Sequence, residues 1–425
     1  MMASARGFQY NFRPMATATL PARSAEPIRA MTPREAGHTL FASFLGWTLD
    51  AFDFFVLVFV LPKIAADFHR SVADIAFAIT LTLAMRPIGA ALFGWLADRY
   101  GRRIPLMADV LLYSMVEVLS GLAPTYGTFL FLRALYGVGM GGEWGVGASL
   151  AMEAVAPKWR GFFSGLLQEG YAAGNLLAAG AYFFIYPVFG WRAMFFLGGA
   201  PALLTLYIRA KVPESEAWQR TRPDRGAILG AMKANLPMFF YLGLLMTAMS
   251  FVSHGTQDMY PTFLHNQRGL GPHQVGEIAI VYNIGAIMGG LFFGYISDGF
   301  GRKRSIATAL IIAIFVIPLW IGARSLILLT AGAFLMQFMV QGAFGVIPAH
   351  LSELSPPEVR GLFSGLAYQA GVLMASSAAY LEALIAEHWG FANAMAMVAF
   401  IAFSLGAIIV LLGHERAGGS LHGDG

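Results

Sequence analysis

The sequence contains no cysteine and few charged side chains, since Asp, Glu, Lys and Arg make up 12% of its 425 residues. The absence of cysteine excludes disulfide bonds and thiolate metal sites. Soluble domains carry roughly 25% charged residues, so the low charge excludes an ordinary soluble domain. Hydrophobic residues make up 57% of the chain. This composition predicts a membrane protein.

Several motifs of catalysis and nucleotide binding are also missing. No glycine is followed by a lysine, so the chain has no Walker loop, and neither HExxH nor GxSxG occurs. The formal net charge is +4. The basic residues lie between apolar runs, with no interleaved aromatic surface, so membrane topology explains them better than nucleic-acid binding. We expect no enzyme activity, no cofactor and no nucleic-acid partner.

Twelve apolar stretches follow one another, each long enough at about 20 residues to cross a hydrocarbon layer of about 30 Å. Most Lys and Arg residues lie in the tails and loops on one side, whereas the other side carries Lys63, Arg70, Arg192, Arg268 and Arg324. This asymmetry predicts a cell (inner) membrane protein with both termini in the cytoplasm. The predicted spans lie near residues 39–62, 72–97, 104–124, 126–152, 161–185, 191–211, 236–264, 272–297, 303–322, 325–351, 361–386 and 390–413.

The predicted spans form two groups of six that are separated by a basic loop. An Arg-rich, acid-poor leader without the apolar core of a secretory signal precedes them. This leader would also fit an organelle transit peptide, but we predict a disordered cytoplasmic tail. The predicted order is the tail (1–38), a six-helix bundle (39–211), a cytoplasmic linker (212–235), a second bundle (236–413) and a cytoplasmic C-terminal tail (414–425).

The two groups of six repeat parts of one sequence. GWLADRYGRR at residues 94–103 returns as GYISDGFGRK at 294–303, and RGFFSGL at 160–166 returns as RGLFSGL at 360–366. Both repeats are offset by 200 residues. Two parallel halves of this kind form a rocking transporter. We therefore predict an all-α membrane protein of twelve transmembrane helices in two pseudo-symmetric six-helix bundles.

The repeated loops resemble the signature of the major facilitator superfamily, Gly-x-x-x-Asp-x-x-Gly-Arg-Arg/Lys, which follows the second span and returns after the eighth. The resemblance implies the major facilitator fold. It also implies that the loop charges form interhelical pairs that break and reform as the halves rock. The gating residues implied in this way are Asp98, Arg102, Arg103, Asp298, Arg302 and Lys303.

The apolar run over residues 236–264 carries a polar face. His254 and Asp258 are four residues apart and share a helix face with Ser250 and Thr262. Ionisable groups at membrane depth are costly and usually mark a substrate or proton path. A structural hydrogen-bonded pair between helices would also explain them, and both interpretations remain open.

The first two spans carry two carboxylates and an arginine at similar depth. Asp50 and Asp53 are three residues apart on one face, and Asp50 lies about 16 Å from the start of the first span. Arg86 reaches the same depth in the second span and needs an anion. That anion is either one of the two aspartates or a substrate carboxylate, which a guanidinium binds bidentately. Arg133 is the second choice for the substrate role, and we predict Asp50 and Asp53 as proton-coupling residues.

Closely spaced glycines at residues 133–147 predict tight helix packing in the fourth span. Glu143 lies among them and either carries a proton or pairs with a neighbouring span; we predict a role in proton coupling. RxxxGxGxGGEWG in this span, followed by RGxxSGxxQxGYxxG at residues 160–174, resembles the superfamily branch that holds sialic acid, lactate and other metabolite–proton symporters.

The seventh span resembles a segment of fungal lactate permeases and their bacterial relatives. The matching residues are Ser253, His254, Thr256, Gln257, Asp258 and Thr262, whereas Ser250 stands where the pattern begins with Asn. The resemblance implies substrate contacts for Ser253, His254, Gln257 and Thr262, and proton coupling by His254 and Asp258.

Together these features predict a proton-coupled symporter for small monocarboxylates such as lactate or pyruvate, working by alternating access. The expected partners are a small organic anion, a proton and the lipid bilayer, and the duplicated halves suggest a monomer. One alternative is a symporter for sialic acid or another larger organic acid. A second is a nutrient sensor that keeps the transporter fold.

Overall fold

A computed structural model describes residues 31–419 and Leu421, and within these residues the regular structure is entirely helical. The all-α prediction is therefore confirmed. Nine helical stretches in the described part are long and apolar enough to cross a membrane. The helices form twelve spans: α1 (Pro33–Asp67), α2 (Val72–Tyr100), α3 (Arg103–Gly121), α4 (Tyr126–Ala154), α5 (Arg160–Gln168 and Gly170–Phe184), α6 (Tyr186–Leu197 and Pro201–Lys211), α7 (Leu236–Gln257 and Tyr260–Asn266), α8 (Pro272–Phe300), α9 (Arg302–Gly322), α10 (Leu326–Gly345 and Ile347–Leu354), α11 (Arg360–Ala375 and Ala378–Trp389) and α12 (Phe391–Leu412).

The first helix begins before the apolar stretch that predicted it. Thr32 accepts a hydrogen bond from the backbone N–H of Glu35, and the Glu35 side chain accepts one from the backbone N–H of Thr32. This capping box and Pro33 start α1 six residues before the predicted boundary at residue 39. Of the predicted tail over residues 1–38, residues 1–30 lie outside the described residues.

The predicted linker over residues 212–235 contains two short helices, Glu216–Thr221 and Arg225–Ala234. Ser215 and Asp224 cap their N-termini through their side chains. The indole N–H of Trp218 donates to the backbone carbonyl of Asp98 at 2.8 Å. The linker is therefore attached to the face on which α1 begins and α12 ends, which we call the terminal face.

The two halves repeat each other in structure as well as in sequence. The bounds of α2 and α8 differ by 200 residues at both ends, and so do the two short 3₁₀ helices Pro157–Trp159 and Pro357–Val359. The turns after α2 and α8 are made by Gly101 and Gly301, with φ of 105° and 97°. These positive φ values favour glycine, which explains why the residue recurs in both loops.

Four spans that come together between the halves are interrupted. The helical pattern breaks at Glu169 in α5, at Asp258 and Met259 in α7, at Val346 in α10 and at Ser376 and Ser377 in α11. Spans α4 and α11 nevertheless approach closely, since a β-carbon at Gly145 would lie 2.7 Å from the Cα of Gly365. This contact joins the halves on the terminal side of the cavity described next.

Candidate transport site

A cavity of about 270 Å³ lies between the two halves. Spans α1, α2 and α5 line it from the first half, and α7, α10 and α11 line it from the second. Its polar lining residues are Arg86, Gln168, Ser250, Ser253, His254, Gln257, Asp258 and Gln341. Aromatic side chains supply much of the remaining wall, namely Trp47, Phe54, Phe55, Tyr171, Phe344 and Tyr368. This combination of apolar walls and a few convergent polar groups is typical of a small-molecule site.

Arg86 supplies the positive charge of the cavity lining. Its side chain is buried, with 4% of the residue exposed, and neither Nε nor Nη2 has a hydrogen-bond partner within the described residues. The backbone of Arg86 is fixed by α4, because a β-carbon at Gly141 would lie 1.9 Å from the Arg86 carbonyl oxygen. The glycines of the fourth span therefore serve the close packing that the sequence predicts.

His254 and Asp258 line the opposite side of the cavity. The Nδ1 atom of His254 lies 3.1 Å from Oδ2 of Asp258, within one helical turn. Next to this pair, the amide nitrogen of Gln257 donates to the hydroxyl of Ser253 at 2.9 Å. The cavity thus brings together five of the predicted site residues, namely Arg86, Ser253, His254, Gln257 and Asp258.

The side of the cavity toward the terminal face is closed by aromatic rings. Trp144 of the first half stacks on Tyr368 of the second, with ring centroids 3.9 Å apart. Trp47 meets the same tyrosine edge-on at 6.4 Å. Because these rings come from both halves, the contact separates when the halves move apart on this side.

Asp50, Asp53 and Glu143 are buried but do not line the cavity. The carboxylate oxygens of both aspartates, and Oε2 of Glu143, have no hydrogen-bond partner in the described part of the chain. Glu143 instead packs against α1, where a β-carbon at Gly46 would lie 2.5 Å from its Oε1. These acids form a second buried layer behind the cavity wall of the first half.

Arg133 and Thr262 also lie outside the cavity lining. The Nη2 atom of Arg133 donates to Oε2 of Glu117 at 2.5 Å and to the hydroxyl of Ser120 at 2.7 Å. Thr262 lies in the second piece of α7, beyond the break at Asp258. The structure therefore gives Arg133 a carboxylate partner within its own half.

On the terminal face, two aspartates bridge the halves through helix N-termini. Asp98 at the end of α2 accepts hydrogen bonds from the backbone N–H groups of Gly361 and Leu362, at 3.0 and 2.8 Å. Asp298 at the end of α8 accepts two from the start of α5, at 2.7 and 3.1 Å. A negative charge at a helix N-terminus is stabilised by the helix dipole, so each aspartate holds a helix of the other half.

An arginine and a glutamate extend the Asp98 contact. Arg102 hydrogen-bonds to Asp98 and to Glu153, with Nη2 lying 3.2 Å from Oε1 of the glutamate. Although burial opposes the charge, the carboxylates of Glu153 and Asp98 raise the pKa of Arg102 above its ordinary value. Arg360 of the second half donates to the same Glu153 at 2.7 Å. Glu153 therefore joins an arginine from each half.

The second half contains the equivalent arrangement. Arg302 binds Asp298 at 2.9 Å and Glu353 at 3.0 Å. Arg160 of the first half donates to Glu353 at 2.9 Å. The two sets of contacts hold the terminal face closed in this conformation.

Arg103 and Lys303 take part differently, because each contacts its own half. Arg103 donates to the carbonyl oxygen of Arg209, and Lys303 donates through Nζ to the carbonyl oxygen of Gly413 at 2.5 Å. They anchor the start of α3 to the last turn of α6, and the start of α9 to the residue that follows α12. Among the hydrogen bonds and ion pairs of the described residues, Asp98 and Asp298 reach the other half directly. Arg102 and Arg302 bind acids of their own half, and Arg103 and Lys303 contact the backbone of theirs.

The C-terminal segment lies between arginines from both halves. Arg160 donates to the carbonyl oxygen of Gly419 at 3.0 Å, and Arg360 donates to that of Leu421 at 3.3 Å. The Leu421 side chain packs into the hydrophobic core, with 2% of the residue exposed. This segment therefore belongs to the closed terminal face.

Comparison with known proteins assigns this architecture to a family. The model of the Major Facilitator Superfamily matches residues 43–272 and 258–422. The chain belongs to the major facilitator superfamily. It is 30% identical to the carboxylic acid transporter protein homolog of Saccharomyces cerevisiae, over 88% of this chain and 68% of that protein. It is also 30% identical to the sialic acid transporter NanX of Escherichia coli, over 89% and 94% of the two chains.

Solved structures of the major facilitator superfamily have the same fold. The proton:xylose symporter XylE superposes with a TM-score of 0.72 at 20% identity, covering 91% of this chain and 98% of that one. The human organic anion transporter MFSD10 superposes with a TM-score of 0.73 at 15% identity, covering 89% and 100%. The chain is therefore a multi-pass membrane transporter with a small-molecule substrate, and it is not an enzyme, as the sequence predicts.

Sequence analysis missed several residues of this major facilitator site. Gln168 and Tyr171 lie in the pattern at residues 160–174, and Tyr368 lies 200 residues after Gln168, so the repeat contained a signal for all three. The other missed residues are single acids within apolar runs. None of them has a charged residue three or four positions away in the sequence. These are Asp109, Glu117 and Glu382, all buried.

Proposed function

We propose that this transporter carries a small monocarboxylate, such as lactate or pyruvate, together with a proton. The observation on which the proposal rests is the shared cavity. It places a buried arginine, of which Nε and Nη2 lack partners within the described residues, opposite an imidazole–carboxylate pair. A guanidinium binds a carboxylate through two charge-assisted hydrogen bonds. Arg86 is the proposed anion site, and the neighbouring His254 and Asp258 hold the proton.

The remaining polar residues of the second half have proposed substrate contacts. Ser253 and Gln257 offer a hydroxyl and an amide to the hydroxyl or keto oxygen of the substrate. Thr262 contributes after a movement of the second piece of α7, because in the described conformation it lies outside the lining. Arg133 is bound to Glu117, which favours Arg86 for the anion.

The buried acids of the first half have a proposed part in proton coupling. An unpaired carboxylate in a low-dielectric interior is far more stable with a proton bound. Asp50, Asp53 and Glu143 therefore hold protons in this conformation. We assign the terminal face to the cytoplasm of an inner membrane, following the distribution of Lys and Arg, and we treat the transporter as a monomer.

Alternating access follows from the contacts on the terminal face. Loading of the cavity neutralises Arg86 and allows the halves to rock, so that the Asp98 and Asp298 networks break and the cytoplasmic side opens. Arg102 and Arg302 stay with the aspartates of their own halves, whereas the bonds of Arg360 to Glu153 and of Arg160 to Glu353 break. Arg103 and Lys303 keep α3 and α9 in place during the movement.

Uptake into proteoliposomes tests the proposed function. With an acidic exterior, each proton that accompanies the anion gives about tenfold accumulation of radiolabelled lactate for each pH unit of gradient. An uncoupler should abolish this accumulation.

Arg86→Ala removes two charged hydrogen bonds, each contributing about 1.5–3 kcal/mol, so lactate affinity should fall at least about a hundredfold. Arg192→Ala is the matched control, since Arg192 pairs with Asp67 on the surface. Unchanged affinity in Arg86→Ala would refute the assignment.

Sialic acid or another larger organic acid is the second candidate substrate, favoured by the 30% identity to NanX. The cavity volume of about 270 Å³ lies near the lower end of the roughly 300–1,000 Å³ that is common for ligand pockets. This volume favours the smaller acids. A competition panel of lactate, pyruvate, acetate and sialate against labelled lactate distinguishes the two.

A further inference from the structure

Glu382 is a buried carboxylate that the mechanism above does not use. It lies in the second piece of α11, and none of its surface is exposed. Neither carboxylate oxygen has a hydrogen-bond partner in the described part of the chain. A structural acid in an apolar interior is normally retained for the hydrogen bonds that it makes, and no such bond is found here.

The position of Glu382 relates it to the imidazole–carboxylate pair. A β-carbon at Gly255, the residue after His254, would lie 3.4 Å from Oε1 of Glu382. The glycine thus allows the carboxylate to lie against the backbone of α7, next to the residue that faces the cavity. Asp258 follows three residues after Gly255, on the same side of α7.

Within the described residues, the helices that pack against this piece of α11 are α12 and the first piece of α7. Span α12 contains no Asp, Glu, Lys, Arg or His between Phe391 and Leu412. The ionisable residues of the first piece of α7 are Tyr241 and His254, and Asp258 follows directly. An ionised Glu382 would therefore be a buried charge beside a second negative charge, which is strongly unfavourable. In the described conformation Glu382 holds a proton.

Helix breaks on both sides provide a way for that proton to leave. Span α11 is interrupted at Ser376 and Ser377, just before the piece that carries Glu382, and α7 is interrupted at Asp258 and Met259. Rearrangement at interrupted helices is one way in which transporters expose a site first to one side of the membrane and then to the other. Movement of these two pieces changes the surroundings of Glu382 and Asp258 together.

We propose that Glu382 is a second proton-binding site of the second half, so that one monocarboxylate crosses with two protons. One proton is held by His254 and Asp258, and the other forms the O–H bond of the Glu382 carboxyl and leaves it on the inner side. The translocated charge is then one positive unit per cycle, since the anion carries one negative charge. This inference rests on the proposed function.

The test is the response of lactate uptake to membrane potential in proteoliposomes. A tenfold potassium gradient with valinomycin, negative inside and without a pH gradient, should drive about tenfold accumulation if one net positive charge enters per cycle. Glu382→Gln removes the proton site with little change in shape. It should lose this accumulation and keep lactate exchange between equal concentrations. Glu387→Gln, an exposed residue of the same helix piece, is the matched control and should behave as the wild type.

The outcomes separate this inference from the proposed function. If wild-type lactate uptake is driven by a pH gradient but not by the membrane potential, the proposal of a second co-transported proton is refuted. The proposed function then still holds. Potential-driven accumulation that persists in Glu382→Gln overturns the assignment to Glu382. If Glu382→Gln also loses exchange, Glu382→Asp decides, because it should restore exchange and potential-driven uptake together. Failure of Glu382→Asp to restore both refutes the assignment.

Discussion

Neutralising Asp98 should open the terminal face of the transporter. In Asp98→Asn the carboxylate that accepts from Gly361 and Leu362 at 3.0 and 2.8 Å becomes an amide. Its single oxygen still accepts one neutral hydrogen bond. Each of the two bonds to the carboxylate contributes about 1.5–3 kcal/mol and the neutral bond that replaces them about 0.5–1.5, so the net loss is about 2.5–4.5 kcal/mol. The ratio of closed to open protein should fall by between about 60-fold and about 1,600-fold.

The absence of native cysteine makes this shift measurable with a single reporter. Ser352 lies near the end of α10 on the terminal face, is buried, and its Oγ has no hydrogen-bond partner within the described residues. A Ser352→Cys protein should react slowly with a maleimide that has access to the terminal face. Adding Asp98→Asn should increase the labelling rate by the same factor by which the ratio of closed to open protein falls.

The matched control is Asp224→Asn. Asp224 also accepts a backbone N–H bond at a helix N-terminus, at 2.7 Å from Ala227, but this contact lies within the linker. Asp224→Asn should leave the labelling rate of the Ser352→Cys reporter unchanged. Equal labelling rates with and without Asp98→Asn would refute the proposal that this aspartate keeps the terminal face closed.

Two further substitutions test the cavity itself. Asp258→Asn removes the carboxylate that lies 3.1 Å from His254, so the pH dependence of initial lactate uptake should flatten; an unchanged pH profile would exclude Asp258 from coupling. Gly141→Ala places a methyl group 1.9 Å from the Arg86 carbonyl oxygen, so it should lower the free energy of unfolding by about 1–3 kcal/mol and weaken lactate binding. Thermal unfolding in detergent and equilibrium lactate binding measure these effects, and Gly180→Ala, where no atom lies within 4 Å of the new carbon, is the control. A normal melting temperature and affinity in Gly141→Ala would contradict this packing argument.

The architecture was predictable because it is repeated in the sequence. The loops at residues 94–103 and 294–303 predicted two equivalent halves, and the bounds of α2 and α8 reproduce the 200-residue offset. The stripe of His254 and Asp258 was also readable, since four-residue spacing places two side chains on one helix face. Its location opposite Arg86 was not, because the rotation of each helix depends on packing with its neighbours.

The helix breaks and the isolated acids could not be predicted in the same way. The break in α11 falls at Ser376 and Ser377, two residues that also occur inside helices, and tertiary contacts decide whether the helix continues. Glu117 and Glu382 each stand alone in an apolar run, without a partner at helical spacing. Sequence alone does not show whether such an acid meets an arginine, as Glu117 does, or has no hydrogen-bond partner among the described residues, as is the case for Glu382.

The C-terminal segment has a practical consequence for anyone who expresses this protein. Leu421 is inserted into the core, and the carbonyl groups around it are held by Arg160 and Arg360. A fluorescent reporter or affinity tag fused close behind this leucine competes with that insertion. Activity recorded from such a fusion describes a transporter whose terminal face is less tightly closed, so a long spacer or a removable tag is needed to measure the native turnover.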